Sequence, residues 1–89
     1  MVKLNNWRFR EYIEGFLIAE GNVIGHAKMT DGTYVRTSLI KSVIECSKSD
    51  ELVFVTCSGT NYKVSWDEAD VKYLEETKNA LINFRIMTS

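Results

Sequence analysis

The chain contains no proline, a single histidine and only two cysteines, and its charges almost cancel. Two cysteines are too few for the disulfide framework that holds many small secreted domains together. Eleven basic residues stand against twelve acidic residues, which gives a net charge of −1. Because non-specific nucleic-acid binding depends on a basic excess that neutralises phosphates, nucleic acid is a disfavoured partner.

Long apolar runs are also missing. No segment approaches the roughly 18 to 20 apolar residues of a membrane span. The apolar run at 16–19 is short and is flanked by Glu14 and Glu20. The N-terminus lacks the basic, apolar and small-residue succession of a signal peptide. We therefore expect a cytoplasmic protein that makes no membrane contact and keeps Cys46 and Cys57 reduced.

The composition is otherwise that of a globular protein, with 45% apolar and 26% charged residues. Eighty-nine residues make one domain, 1–89, and leave no room for a second. A chain this short is only marginally stabilised by its own burial, so we expect a homo-oligomer.

Short polar clusters divide the first two thirds of the chain. Turn signals occur at 20–22, 30–32, 47–50 and 58–61, and the segments between them are rich in Val, Ile, Thr, Tyr and Phe. This spacing predicts a β-meander over about 7–66. The expected architecture is mainly β with one C-terminal helix, the strands forming a small bent antiparallel sheet or an SH3-like barrel.

The last third has helical periodicity. Ser65 and Glu68 have the spacing of a capping box, and no glycine follows until the end of the pattern. Apolar residues recur at helical spacing at Val71, Leu74, Leu81 and Phe84. We predict a helix over about 67–84.

Two hairpin registers follow from placing apolar residues on one face. A two-residue turn at Gly59-Thr60 pairs Cys57 with Tyr62 and Val55 with Val64. A turn at 49–50 likewise pairs Cys46 with Val53. Both cysteines then face the core as small buried side chains, too far apart for a disulfide.

The turn at 30–32 allows two registers. A two-residue turn at 31–32 sets Arg36 opposite Ala27 on the apolar face. A three-residue loop instead pairs Ala27 with Val35, which keeps more apolar residues together, and this register is the preferred one. It sets His26 opposite Arg36 and Lys28 opposite Tyr34 on the outer face of the sheet.

This outer patch is the main candidate site. Arginine binds phosphate or carboxylate through two parallel hydrogen bonds, lysine adds a point charge, and tyrosine can stack on a base. The simpler interpretation is the solvated polar face of a half-buried sheet. The candidate ligand-binding residues are His26, Lys28, Tyr34, Arg36, Thr37 and Ser38.

Ser58, Gly59 and Thr60 form a secondary candidate. A glycine-bearing turn can cradle an anion, although turning the hairpin is the simpler role. In the N-terminal segment, Arg8 and Arg10 alternate with aromatic residues. Such a pattern can bind single-stranded nucleic acid, but a β-strand with Trp7 and Phe9 facing inward explains it better.

Signals for catalysis are weak. The single His26 has no neighbouring ligands at metal-binding spacing. The acidic residues at 67–76 are explained by helix capping and solvation. The sequence contains no P-loop and no nucleophile elbow. We therefore expect neither an enzyme, nor a metal site, nor a cofactor.

Four ordered segments resemble a group of small uncharacterised proteins of bacteria, phages and mobile elements. These segments are LNNW at 4–7, GNVIGH at 21–26, DGTYVRTS at 31–38 and VTCSGTNY at 55–62. The resemblance implies a compact β-rich domain. It also implies an accessory role, such as blocking a host defence protein or sequestering a signalling nucleotide.

The sequence thus favours a non-enzymatic binding module. Its partner would be a small anionic molecule such as a nucleotide signal, or an acidic protein surface, held on the outer sheet face. One alternative is an interaction protein that oligomerises through Leu81 and Phe84 of the helix. The other is a small nucleic-acid-binding barrel.

Overall fold

Six strands form one sheet in the computed structural model, which describes residues 1–46 and 49–88, with side chains as far as Phe84. Their spatial order is β3-β2-β1-β6-β5-β4. The strands are β1 (Val2–Ile13), β2 (Phe16–Ile24), β3 (Tyr34–Arg36), β4 (Ile40–Glu45), β5 (Glu51–Thr56) and β6 (Asn61–Ser65). In the described part of the chain, two 3₁₀ helices (Trp66–Glu68 and Val71–Tyr73) and one α-helix, α1 (Leu74–Thr88), follow them. The predicted class, mainly β with one C-terminal helix, is confirmed.

The sheet is mixed and does not close into a barrel. Strand β1 runs parallel to β6, which it meets only at Val2 and Lys3. Beyond that point the segment after β6 lies beside β1 instead. Asp70 donates a backbone hydrogen bond to the Trp7 carbonyl at 2.8 Å, and Phe9 donates one to the Thr77 hydroxyl at 3.3 Å. The C-terminal segment therefore fills the opening between β1 and β6.

Helix α1 begins seven residues later than the predicted start at 67. Ser65 caps a turn as expected, accepting a hydrogen bond from the Asp67 amide, but this is a single 3₁₀ turn. Ala69 then adopts an extended conformation, because it is buried and forms a bridge with Trp7 of β1. None of the described helices has the length and apolar character needed to cross a bilayer.

Aromatic rings from both halves of the sheet form the core. Trp7 and Phe9 of β1 are fully buried, as the alternating pattern predicts. Both rings contact Phe54 of β5, with centroids 5.5 and 5.2 Å away. Leu81 and Phe84 of α1 are also buried in this core.

The predicted register of the β5–β6 hairpin is wrong. Phe54 lies opposite Tyr62 and Leu52 opposite Val64, so Val53 and Val55 belong to the outer face. The connection is longer than two residues. It is closed by hydrogen bonds from the Gly59 amide to the Thr56 carbonyl and from the Thr56 hydroxyl to the Thr60 carbonyl.

The β4–β5 register also differs from the prediction. Ile44 pairs with Val53 on the outer face, and Cys46 lies opposite Glu51 instead of Val53. Residues 47 and 48 of the predicted turn lie outside the described residues. Both cysteines are exposed and free, so the prediction that they are buried in the core is wrong. The reason is that β4 and β5 turn toward the core the face that was predicted to point outward.

The predicted loop at 30–32 is wrong in length. Strand β2 ends at Ile24, and residues 25–33 form one long connection to β3. Gly25 and Gly32 take the left-handed conformation in this loop, and the Gly25 amide donates to the Asp31 carboxylate. Ala27 therefore does not pair with Val35, whose sheet partner is Gly21.

Candidate functional site

The structure brings together four of the six predicted ligand-binding residues. Tyr34 and Arg36 lie on β3, and Thr37 and Ser38 follow directly. His26 and Lys28 are not opposite Arg36 and Tyr34, because the longer loop shifts the register. They lie in the β2–β3 connection, where the His26 Nδ1 atom accepts a hydrogen bond from the Lys28 amide.

The sheet partner of Arg36 is Glu20 of β2. Glu20 is only 7% exposed although it lies on the outer face of the sheet. Its Oε1 atom accepts a hydrogen bond from Arg10 Nε, and its Oε2 atom accepts one from the Tyr34 hydroxyl at 2.5 Å. Arg36 Nε lies 3.7 Å from Oε1. We call the four residues Arg10, Glu20, Tyr34 and Arg36 the Glu20 cluster.

The cluster fixes the protonation state of its carboxylate. Burial alone would raise the pKa of Glu20, but the hydrogen bonds from Tyr34 and Arg10 and the charges of Arg10 and Arg36 together lower it. The same hydrogen bond raises the pKa of Tyr34, and burial adds to this. At neutral pH the cluster therefore has two guanidinium groups, one carboxylate and a neutral phenol, and a net charge of +1.

Arg36 is the accessible charge of this cluster. Its side chain is 54% exposed. Its guanidinium lies 3.7 Å from the Glu20 carboxylate and 5.7 Å from the Tyr12 ring centroid. It makes no hydrogen bond to any of the described residues. Arg10, in contrast, is held by Glu20. Arg36 is therefore the more exposed of the two guanidinium groups and the one that makes no hydrogen bond to Glu20.

Thr37 has a structural role. It is buried, and its hydroxyl accepts a hydrogen bond from the Ala19 amide and donates one to the Ser38 carbonyl. Its own amide donates to the Ala19 carbonyl. These bonds hold the backbone that carries Arg36 and Ser38 against β2.

The predicted secondary site meets the main one at a pair of serines. Ser38 Oγ lies 2.9 Å from Ser58 Oγ, and Ser58 Oγ lies 3.1 Å from the Thr56 hydroxyl. The Gly59 amide and the Thr60 carbonyl are used in closing the β5–β6 turn. Ser58 is therefore hydrogen-bonded to Ser38 of the main site, and the simpler, turn-forming role fits Gly59 and Thr60.

A cleft of about 320 Å³ opens beside Arg36. Ile18 of β2, which is buried although it lies on the outer face, and Leu39 provide its apolar surface. We call it the Arg36 cleft. Its lining residues are Tyr12, Ile18, Arg36, Thr37, Ser38 and Leu39.

A second cleft of similar volume lies between β1 and α1. Glu11 and Glu76 line it together with Asn79 and Asn83, so no cationic side chain is among its lining residues. Glu76 is also the partner of Arg8, at 3.0 Å. An anion is therefore favoured at the Arg36 cleft and disfavoured here. No group of three or more metal-ligating side chains occurs in the described part of the chain.

Sequence reasoning missed Glu20, Arg10 and Tyr12 as site residues. Glu20 stood beside Gly21 in a segment interpreted as a turn, whereas both lie within β2. Alternation gave no signal here, because residues 16–19 are apolar on both faces of the strand, and Glu20 shares a face with Phe16 and Ile18 only once the strand is known to continue.

Comparisons with protein-family models, with curated proteins and with solved structures found no match to this chain.

Proposed function

We propose that the chain is a non-enzymatic binding module that takes a small anionic ligand in the Arg36 cleft. One observation carries the proposal: an exposed guanidinium without a hydrogen bond among the described residues borders an apolar cleft. Guanidinium groups bind carboxylates and phosphates through two parallel hydrogen bonds. A cleft of about 320 Å³ can take a small ligand, and an acidic protein surface is the other partner considered.

Glu20 supports this role without neutralising the site. Its carboxylate is engaged by Arg10 and Tyr34, and Arg36 lies further away at 3.7 Å. Arg36 is therefore oriented by Glu20 yet keeps donors for a ligand. A ligand anion would replace solvent around Arg36 and leave the Arg10–Glu20 pair intact.

The test is isothermal titration calorimetry with four probes: adenosine 5′-monophosphate, benzoate, inorganic phosphate and adenosine 5′-triphosphate. We expect at least one probe to bind, and Arg36→Ala to weaken it at least about tenfold, because charge-assisted hydrogen bonds are lost. Arg36→Lys should fall between, since lysine keeps the charge but not the fork. Lys78→Ala, at an exposed position on α1, is the matched control.

Two outcomes would contradict the proposal. One is that the wild-type protein binds none of the probes. The other is that Arg36→Ala binds as tightly as the wild type. Native mass spectrometry of gently purified protein complements the titration, because a retained mass of a few hundred daltons would show that a small ligand co-purifies.

The alternatives have less support. Leu81 is 4% and Phe84 8% exposed, so both face the chain's own core and offer little to a partner helix. Nucleic acid is less favoured because Glu76 and Glu20 already partly neutralise the charges of Arg8 and Arg10. The proposed accessory role in phages or mobile elements rests on the sequence resemblance, and sequestration of a ligand would require no catalytic group.

A further inference from the structure

We propose that the ligand of the Arg36 cleft combines one anionic group with one planar ring, and that the ring packs on Tyr12. This inference rests on the proposed function and adds the ligand class. It distinguishes a nucleoside monophosphate or an aromatic carboxylate from both inorganic phosphate and a nucleoside triphosphate.

The Tyr12 ring is available for stacking. Its side chain is 48% exposed near the end of β1. Arg10 and Arg36 lie over this ring at 6.0 and 5.7 Å from its centroid, at the outer limit of a cation–π contact, so they cover it only loosely. The Tyr73 ring is an example of a covered ring in this protein, since the Arg8 guanidinium lies only 3.7 Å from its centroid.

The cleft floor is apolar. Ile18 is 2% exposed, and Leu39 is half-buried. Apolar side chains cannot replace the water that surrounds a charged group, so a second or third phosphate on this floor would lose its hydration without compensation. A planar ring gains from the same contact. The floor therefore favours a ring beside a single charge.

The number of cationic side chains that line the cleft limits how many anionic groups a ligand can place there. Arg10 is paired with Glu20, and Arg8 with Glu76, which leaves Arg36 as the cation of the cleft. The Ser38 hydroxyl lines the cleft but donates to Ser58 Oγ, so it supplies no further charge and no free donor. The volume of about 320 Å³ lies at the small end of the range for ligand sites, roughly 300–1,000 Å³. One charge and one ring match this size.

The four titration probes separate the two proposals. We expect adenosine 5′-monophosphate or benzoate to bind at least about tenfold more tightly than inorganic phosphate, because ring stacking adds affinity. Adenosine 5′-triphosphate should bind more weakly than the monophosphate. The better of the two ring-bearing probes then identifies phosphate or carboxylate as the preferred group.

The decisive variant is Tyr12→Leu. It should weaken the ring-bearing probe by about tenfold and leave the affinity for inorganic phosphate unchanged. Phe16→Leu is the matched control, since Phe16 is an exposed aromatic residue of the same hairpin that does not line the cleft.

Each result decides one proposal. If all anions bind equally through Arg36, or if the triphosphate binds best, the proposed function stands and the ligand class is wrong. The same holds if Tyr12→Leu has no effect. If no probe binds, or if Arg36→Ala changes nothing, the proposed function itself is wrong.

Discussion

Glu20→Gln is the substitution that most directly tests the interactions of the Glu20 cluster. Glutamine keeps the shape of the side chain and one acceptor oxygen, but it removes the negative charge. The charge-assisted hydrogen bond from Arg10 is weakened, and that from the Tyr34 hydroxyl is weakened or lost. Glu20 is 7% exposed, so water cannot replace these partners.

The size of the effect follows from these contacts. A hydrogen bond to a charged group contributes about 1.5–3 kcal/mol, whereas a neutral one contributes about 1 kcal/mol. Two hydrogen bonds are weakened and two guanidinium groups lose their neutralising charge, so we expect the free energy of unfolding to fall by about 2–3 kcal/mol. This figure already includes a reduction for solvent screening, because both arginines are partly exposed. Glu51→Gln is the control. Glu51 is more exposed and pairs with Lys63 at 3.2 Å, so its loss should be below about 0.5 kcal/mol.

The pH dependence of stability provides a second test of the Glu20 charge. The pKa of Glu20 is lowered by folding, so its contribution to stability is present above the unfolded value near 4.5 and disappears as the pH falls through the folded value. Glu20→Gln should therefore differ from the wild type at pH 7 and converge with it in acid. Urea denaturation at both pH values measures this. An equal difference at both, or none at pH 7, would refute the reasoning.

Three further predictions concern the fold. Gly21→Ala should lower the free energy of unfolding by about 1–3 kcal/mol, because an added Cβ would lie 2.9 Å from the Asn5 carbonyl oxygen; an unchanged urea midpoint would contradict this close approach. Leu81→Glu should unfold the chain or cost more than about 3 kcal/mol, since it buries a charge in the core; circular dichroism of a stable folded variant would show the helix packing to be wrong. Cys46 and Cys57 should both react with a thiol reagent in the native protein, because both are exposed; reaction only after denaturant is added would contradict their placement.

The fold class was predictable because its signals are local. Strand-forming residues between turn clusters and a glycine-free helical pattern need no knowledge of distant contacts. Burial of Trp7 and Phe9 followed from alternation alone. The parallel contact of β1 with β6 was not predictable, since it joins residues 2–3 to residues 62–63 without any local pattern.

Strand register failed where both faces of a strand are apolar. Residues 52–55 read Leu-Val-Phe-Val, so periodicity cannot choose between Leu52 and Phe54 on one face and Val53 and Val55 on the other. The choice is made by loop closure and by the large ring of Phe54, which packs between Trp7 and Phe9.

The part of the candidate site that does not depend on strand register was predictable, and the part that does depend on it was not. Tyr34, Arg36 and Ser38 are close in sequence and stay together whatever the register. His26 depended on a hairpin register that the long loop changes, and Glu20 depended on recognising Gly21 as a strand residue. Gly21 is required by the close approach of β1 and not by a turn.

The most direct test of ligand binding in the Arg36 cleft is an amide chemical-shift titration by NMR, run once with adenosine 5′-monophosphate and once with benzoate. The account predicts saturable shifts centred on the amides of Arg36, Ser38 and Tyr12, and their loss in Arg36→Ala. Shifts centred instead on Glu76 and Asn79 of the second cleft, or no saturable shift at all, would contradict it.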